Sequence, residues 1–131
     1  MKAILLFTTL LLLFTTTISH SKTINLETLP SDLSVKKNDK IVLKLKSNPS
    51  TGFVWTLKIQ NPKDNEVLIK TNETYKADSK MKYTLVGVGG TITYTIKAQN
   101  KGISTISGYY SRPWEKDIPP FRNYSINVTV K

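Results

Sequence analysis

From Lys40 onward the chain alternates apolar and polar residues with a period of two, and that rhythm limits its fold more than any other feature. Ile41, Leu43 and Leu45 face one way while Val42, Lys44 and Lys46 face the other. Phe53, Trp55, Leu57 and Ile59 alternate with Val54, Thr56 and Lys58. Ile92, Tyr94, Ile96 and Ala98 alternate with Thr91, Thr93, Thr95 and Lys97, and Tyr124, Ile126, Val128 and Val130 with Ser125, Asn127, Thr129 and Lys131. Successive side chains of a strand point to opposite faces, so each segment is predicted as a strand with one buried face. No stripe at helical spacing competes. Ile103–Tyr110 reads as another strand, and Val67 and Ile69 mark a shorter, weaker one. A first strand lies near Thr23–Leu26, continued around Leu33–Val35, which brings the total to about seven.

Each apolar face has to be covered, and two packed sheets cover one another. The prediction is therefore an all-β, immunoglobulin-like β-sandwich of about seven antiparallel strands. It has no disulfide, because the chain has no cysteine. Glycine and proline mark the connections: Asn48-Pro49-Ser50-Thr51-Gly52, Gly87-Val88-Gly89-Gly90, and Arg112-Pro113-Trp114 through Pro119-Pro120. If successive strands run antiparallel, every second connection lies at one end of the sandwich. These three are every second connection, so they should meet as one surface. Asn61-Pro62 and Asn100-Lys101-Gly102 should close the opposite end.

The first residues stand apart from this pattern. Met1-Lys2-Ala3 is a short basic start, Ile4–Phe14 is apolar except for Thr8 and Thr9, and small or polar residues follow. That is the layout of a secretory signal peptide over residues 1–19, with cleavage expected between positions 19 and 21. The apolar run is shorter than the roughly 18 residues of a membrane span, with a retained signal-anchor as the alternative. Residues 22–131 then form the single domain, with no membrane association after signal removal. The chain carries a net charge of +10, but its lysines are scattered and the longest run is Lys36-Lys37. A solvated basic surface is the expectation, and no nucleic-acid partner.

Inventory removes most catalytic schemes. The single histidine, His20, sits at the signal junction, and without cysteine no Cys–His or Ser–His nucleophile pair can form in the mature domain. Nitrogen and sulfur ligands for zinc are missing too, so no metal and no cofactor is expected. Glu115 and Asp117 read as a solvated charged loop rather than an acid/base pair. Gly87-x-Gly89-Gly90 precedes a strand, and so lacks the helix N-terminus of a phosphate cradle.

Binding chemistry concentrates in the three connections. Trp114 follows a proline in a polar loop, where it can serve as an exposed anchor or fold back on the sandwich edge or on Phe121. Pro113, Pro119 and Pro120 stiffen that loop. Ser50 and Thr51 put two hydroxyls between a proline and a glycine. Gly87, Gly89 and Gly90 leave backbone bare for close approach by a partner, or serve the turn alone.

Asn48-Pro49-Ser50-Thr51-Gly52-Phe53, Gly87-Val88-Gly89-Gly90 and Arg112-Pro113-Trp114-Glu115 resemble the three signature motifs of the chagasin-type cysteine peptidase inhibitors. They occur in that family's order at comparable spacing, and the resemblance covers the mature chain. Its one departure is Ser50, where the family usually has threonine. The resemblance implies a wedge of three loops filling the cleft of papain-like, cathepsin-like peptidases, one inhibitor monomer to one enzyme. It also implies tight, reversible occlusion with no peptide bond offered for cleavage. Asn48–Phe53 would cover the catalytic Cys–His pair. The Gly87–Gly90 loop would pair backbone to backbone on the non-primed side, and Arg112, Pro113 and Trp114 would lie on the primed side.

Two readings from other classes stand beside this one: a carbohydrate-binding or adhesion module using Trp114, Tyr109 and Tyr110, and a structural secreted domain. The chain is expected in the secretory pathway, either secreted or held in a lysosome- or endosome-like vesicle. Three N-glycosylation acceptors, Asn72, Asn123 and Asn127, fit that route. The alternation places Asn127 on the outer face.

Overall fold

The computed structural model describes residues 20–78 and 88–131, so the expected leader and Gly87 lie outside the described residues. Eight strands follow in order: β1 (Thr23–Leu26), β2 (Asp32–Val35), β3 (Lys40–Ser47), β4 (Val54–Gln60), β5 (Leu68–Ala77), β6 (Gly90–Ala98), β7 (Gly102–Ser111) and β8 (Arg122–Val130). They form two four-stranded sheets, ordered β1-β3-β6-β5 and β2-β8-β7-β4. The all-β sandwich is as the alternation predicts.

The N-terminal segment departs from that prediction. It is two strands rather than one continued strand, and they belong to opposite sheets. β1 lies parallel to β3, from Thr23 beside Lys40 to Leu26 beside Leu43, and β2 lies parallel to β8. The pairings are thus not all antiparallel. Four residues carry too few alternations to distinguish one bent strand from two. Ile24, Leu26, Leu29 and Leu33 all pack on the core, so burial gave no sign of the switch.

β5 is longer than Val67 and Ile69 suggest, running ten residues to Ala77. Only Leu68 in it is fully buried, so the strand has no apolar face for sequence to reveal. It occupies a sheet edge, and its pairing with β6 slips between Lys70 and Asn72. An irregular, lysine-bearing edge resists pairing with other chains.

The core lies between the sheets. Ile41, Leu43, Leu45, Tyr94 and Ile96 from one sheet meet Ile106, Ile126, Val128 and Val130 from the other, all buried. The Tyr94 hydroxyl crosses the gap and donates to the Trp55 carbonyl at 3.2 Å. Burial of the ring pushes the Tyr94 hydroxyl up to about 12, so it remains a donor at any ordinary pH.

Asp39, in the turn between β2 and β3, is the one charged side chain among the buried described residues, at 4% exposure. Its carboxylate accepts the backbone N–H groups of Lys22 and Lys36, each at 2.9 Å. Burial by itself raises its pKa. The two hydrogen bonds and the charges of Lys36 and Lys22 outweigh that and hold it below the ordinary 3.8. The ionised group therefore stabilises the fold above pH 3.8, and this contribution is lost as pH falls through the lower folded value.

Register shows which strand ends meet. Ser47 pairs with Gly90, Gly90 with Ala77, Val54 with Ser111 and Tyr110 with Arg122. The connections after β3, β5 and β7 thus leave from neighbouring strand ends.

Two outcomes are expected. Tyr94→Phe should cost about 1 kcal/mol in chemical denaturation with an unchanged slope. Asp39→Asn should cost about 2 kcal/mol near pH 7. That difference should narrow as pH falls below 3.8, and a gap independent of pH would contradict the assignment.

Candidate functional site

The first connection is a preformed tip. Pro49–Thr51 makes one 3-10 turn, closed by Thr51 N–H donating to the Asn48 carbonyl at 3.2 Å and Gly52 N–H to the Pro49 carbonyl at 3.0 Å. The Thr51 hydroxyl donates to the same Asn48 carbonyl at 2.7 Å, and the Ser50 hydroxyl to Asn48 Oδ1 at 2.5 Å. Pro49, Ser50 and Thr51 are exposed, while Asn48, Gly52 and Phe53 are half-buried. Gly52 leaves the turn at φ 79°, a left-handed conformation that favours glycine. A Cβ there would also collide with Cη2 of Trp114. The tip needs glycine for two independent reasons.

Tyr110, on β7, fixes the root of this tip. It is buried, at 8% exposure, and its hydroxyl accepts the Asn48 N–H at 2.9 Å. Its ring stacks on Phe53 with centroids 5.3 Å apart and lies 4.8 Å from the ring of Trp55. Phe121, at the end of the third connection, meets Phe53 at 5.6 Å and donates its N–H to the Tyr110 carbonyl at 2.9 Å. One side chain and its own carbonyl thereby hold both loops.

Arg112 makes the second link. Its Nε donates to the Thr51 carbonyl at 3.0 Å, Nη1 pairs with Glu115 at 3.1 Å, and the guanidinium sits 4.4 Å from the Phe53 ring centre. Glu115 N–H donates back to the Arg112 carbonyl at 3.1 Å and closes the turn. Glu115 is thus half-buried and paired, where the sequence suggested a solvated charge; Asp117 is exposed. Pro113 and Trp114 stand at the apex of this turn. Trp114 lies against Gly52 rather than Phe121, and keeps 66% of its surface exposed.

The second connection emerges beside the first. The Gly89 carbonyl accepts the Asp78 N–H at 3.0 Å, and a Cβ on Gly89 would stand 3.4 Å from the Ser47 carbonyl. Val88 and Gly89 are half-buried. Gly90 is already inside β6 and buried, and a Cβ there would sit 2.5 Å from the Lys76 carbonyl. Gly90 therefore belongs to the sheet rather than to the loop tip. Among the described residues no three His, Asp or Glu side chains gather as a metal site.

Comparison with known proteins decides what this end of the sandwich belongs to. Residues 34–128 match the family description "Chagasin family peptidase inhibitor I42". The chain belongs to the chagasin family of peptidase inhibitors. It is accordingly an inhibitor of papain-like cysteine peptidases and not an enzyme. Amoebiasin-2 of Entamoeba histolytica is 34% identical over 99 residues, 76% of each chain. Chagasin of Trypanosoma cruzi is 29% identical over 85 residues, 63% of this chain and 73% of that one. The crystal structure of the cysteine protease inhibitor EhICP2 from Entamoeba histolytica superposes with a TM-score of 0.67 at 29% identity, covering 84% of this chain and 95% of that one.

Within this chagasin-family inhibitor, two residues that hold the loops were not legible beforehand as supports. Tyr110 looked like one of a pair of aromatic residues open to sugar. Instead it is buried, and Tyr109 is half-buried with Lys58 Nζ 5.6 Å from its ring centre. No Trp114–Tyr109–Tyr110 platform for sugar is left. Glu115 was visible in the motif, but its pairing needs the turn geometry. The one available signal was spacing, since Glu115 stands three residues after Arg112.

Gly52→Ala should lower stability by about 1 kcal/mol or more and displace Trp114, read as a change in tryptophan fluorescence. Unchanged stability and emission would mean that the Gly52–Trp114 contact does not hold the loops together.

Proposed function

We propose that the three connections after β3, β5 and β7 act together as one wedge that fills the substrate cleft of a papain-like cysteine peptidase. The observation that carries this reading is the exposed Ser50–Thr51 tip, tied to Tyr110 on one side and Arg112 on the other. A tip already held in shape loses little conformational entropy when it docks.

In this reading Ser50 and Thr51 lie over the catalytic Cys–His pair. Asn48, Pro49, Gly52 and Phe53 set the tip's shape. Their internal hydrogen bonds present side-chain oxygens and a closed turn rather than an extended scissile bond, so the nucleophile has no substrate-like carbonyl to attack. Serine at position 50 keeps the hydroxyl of the family's usual threonine and loses a methyl group. Gly87, Val88 and Gly89 offer bare backbone to the enzyme's non-primed side, with Gly90 anchoring them in the sheet. Trp114, presented by Pro113, stacks on the primed side, and Arg112 positions the loop while its guanidinium stays within the inhibitor. Complex formation is one to one, tight and reversible.

The reading extends to the route of the protein. Residues 1–19 act as a secretory signal, residues 22–131 fold as the inhibitor, and the product is secreted or kept in a lysosome-like vesicle. Asn72, Asn123 and Asn127 are all exposed, as glycan acceptors must be. Asn123 lies two residues beyond Phe121, so a glycan there would crowd the third loop.

Residues 22–131 should titrate papain to a one-to-one end point, and failure to inhibit several papain-like enzymes would sink the reading. Trp114→Ala should weaken binding by about 2 kcal/mol or more, mainly through faster dissociation. Gly89→Leu should weaken it without loss of fold, and unaltered inhibition would place the second loop outside the interface.

A further inference from the structure

At the end of the sandwich away from the three loops, Asp39 presents an unusual arrangement. A buried charge is normally paired with an opposite charge, because desolvation is otherwise costly. The ion pairs among the described residues join Lys46 to Asp78, Lys70 to Glu73 and Arg112 to Glu115, and Asp39 takes part in none of them. Its nearest polar partners are two backbone nitrogens, of Lys22 and Lys36.

The position of Lys22 gives this arrangement a meaning. The Lys22 carbonyl accepts the Lys40 N–H at 2.9 Å, and β1 begins at the next residue. Lys22 is thus bound into the sandwich through both its carbonyl and its nitrogen, and His20 and Ser21 before it are exposed. In the sequence, small residues occupy positions 19 and 21, the pattern a signal peptidase requires just before its cut. A cut after Ser19 fits that rule equally well, since Thr17 and Ser19 are also small. Only a cut after Ser21 turns the atom 2.9 Å from Asp39 Oδ1 into a terminal amine.

We propose that the leader is removed between Ser21 and Lys22, and that the α-ammonium so formed docks on the buried carboxylate of Asp39. The inference rests on the secretory reading given above. Hydrolysis consumes one water: hydroxyl goes to the Ser21 carbonyl carbon, which leaves with the leader as a carboxylate. The hydrogen goes to Lys22 N, which takes up a further proton from solvent. The product exchanges a neutral N–H donor for a cation at the same place, so Asp39 gains a charge in direct contact beyond the more distant charges of Lys36 and Lys22. Processing thereby completes the polar centre that joins β1, the β2–β3 turn and, through the Asp39 carbonyl and Ala98 N–H at 2.9 Å, β6.

The surroundings make the test two-sided. The hollow beside Asp39 is lined by Lys22, Ile24, Ser34, Val35, Lys36, Lys131 and, in the longer chain, His20. Lys36, Lys131 and the Lys22 side chain oppose a further cation, and His20 does so when protonated. Asp39 is the acidic group hydrogen-bonded to the nitrogen, at 2.9 Å.

Three measurements decide the matter. The intact mass of the protein secreted from a eukaryotic host should correspond to a chain starting at Lys22. A chain starting at His20 would overturn the inference and leave the secretory reading standing, whereas retention of residues 1–21 would overturn both. Separately, two purified proteins, one starting at Lys22 and one retaining His20-Ser21, contain all eight strands and can be melted between pH 5 and about 10.5. An α-amine ordinarily titrates near 7.7–8.0. A raised value in the folded state stabilises the protein below that range, and the effect disappears as pH rises through the folded value. The Lys22-first protein should therefore melt about 4 °C or more higher at pH 6–7, with the difference closing at the alkaline end. Asp39→Asn should erase the difference. Should that variant not fold, NMR titration of the α-amine in the unmutated Lys22-first protein gives the same answer. A value above the ordinary range is expected, and one within it would overturn the proposal.

Discussion

Much of the loop end depends on the burial of Tyr110. Its hydroxyl receives the first loop, its ring separates Phe53 from Trp55, and its carbonyl receives the end of the third loop. Placing a phenol in an apolar cluster costs free energy unless its oxygen finds a partner, and here the Asn48 N–H supplies one. The same bond satisfies a backbone donor where β3 ends and ordinary ladder pairing stops. Two groups that would each be costly alone thus satisfy one another, and the outcome is a defined starting point for the tip.

Arg112 gives that starting point a direction. Its planar guanidinium reaches the Thr51 carbonyl, the Glu115 carboxylate and the face of Phe53 at once. A lysine would supply the charge without the fork that satisfies several partners in fixed geometry. Gly52 then lets the six-membered-ring edge of Trp114 approach the first loop closely while most of the indole remains in solvent. An exposed tryptophan is normally mobile. Here one edge is packed, so the ring is presented rather than free. The sandwich supplies the frame without a disulfide, because facing sheets bury enough apolar surface between Ile41, Leu43, Ile96, Ile106, Ile126 and Val128.

Sequence revealed this structure where one face is buried and the other is not. β3, β4, β6 and β8 carry clean alternation over seven or more residues, and the convergence of three connections follows from the order of such strands. It failed where alternation has no physical cause. β5 runs along an exposed edge and covers little of the core, and β1 and β2 are four residues each and change sheets between them. The candidate tip residues were visible as types: two hydroxyls, glycines and an isolated tryptophan. What binds them to each other was not, because Asn48–Tyr110 and Thr51–Arg112 span 62 and 61 residues of sequence. Contacts at that distance depend on register, which is a property of the assembled sheets.

The central claim is that one end of the sandwich, already shaped, is what meets the peptidase. Amide hydrogen exchange of residues 22–131, alone and bound to an active-site-blocked papain-like enzyme, tests it most directly. New protection is predicted at Ser50–Phe53, at Val88 and Gly89, and around Trp114. Little change is predicted at the hydrogen-bonded Asn48 N–H, which is already held by Tyr110 in the free protein. Protection centred instead on the opposite end, around Asn61–Asn65 and Gln99–Lys101, would contradict the account.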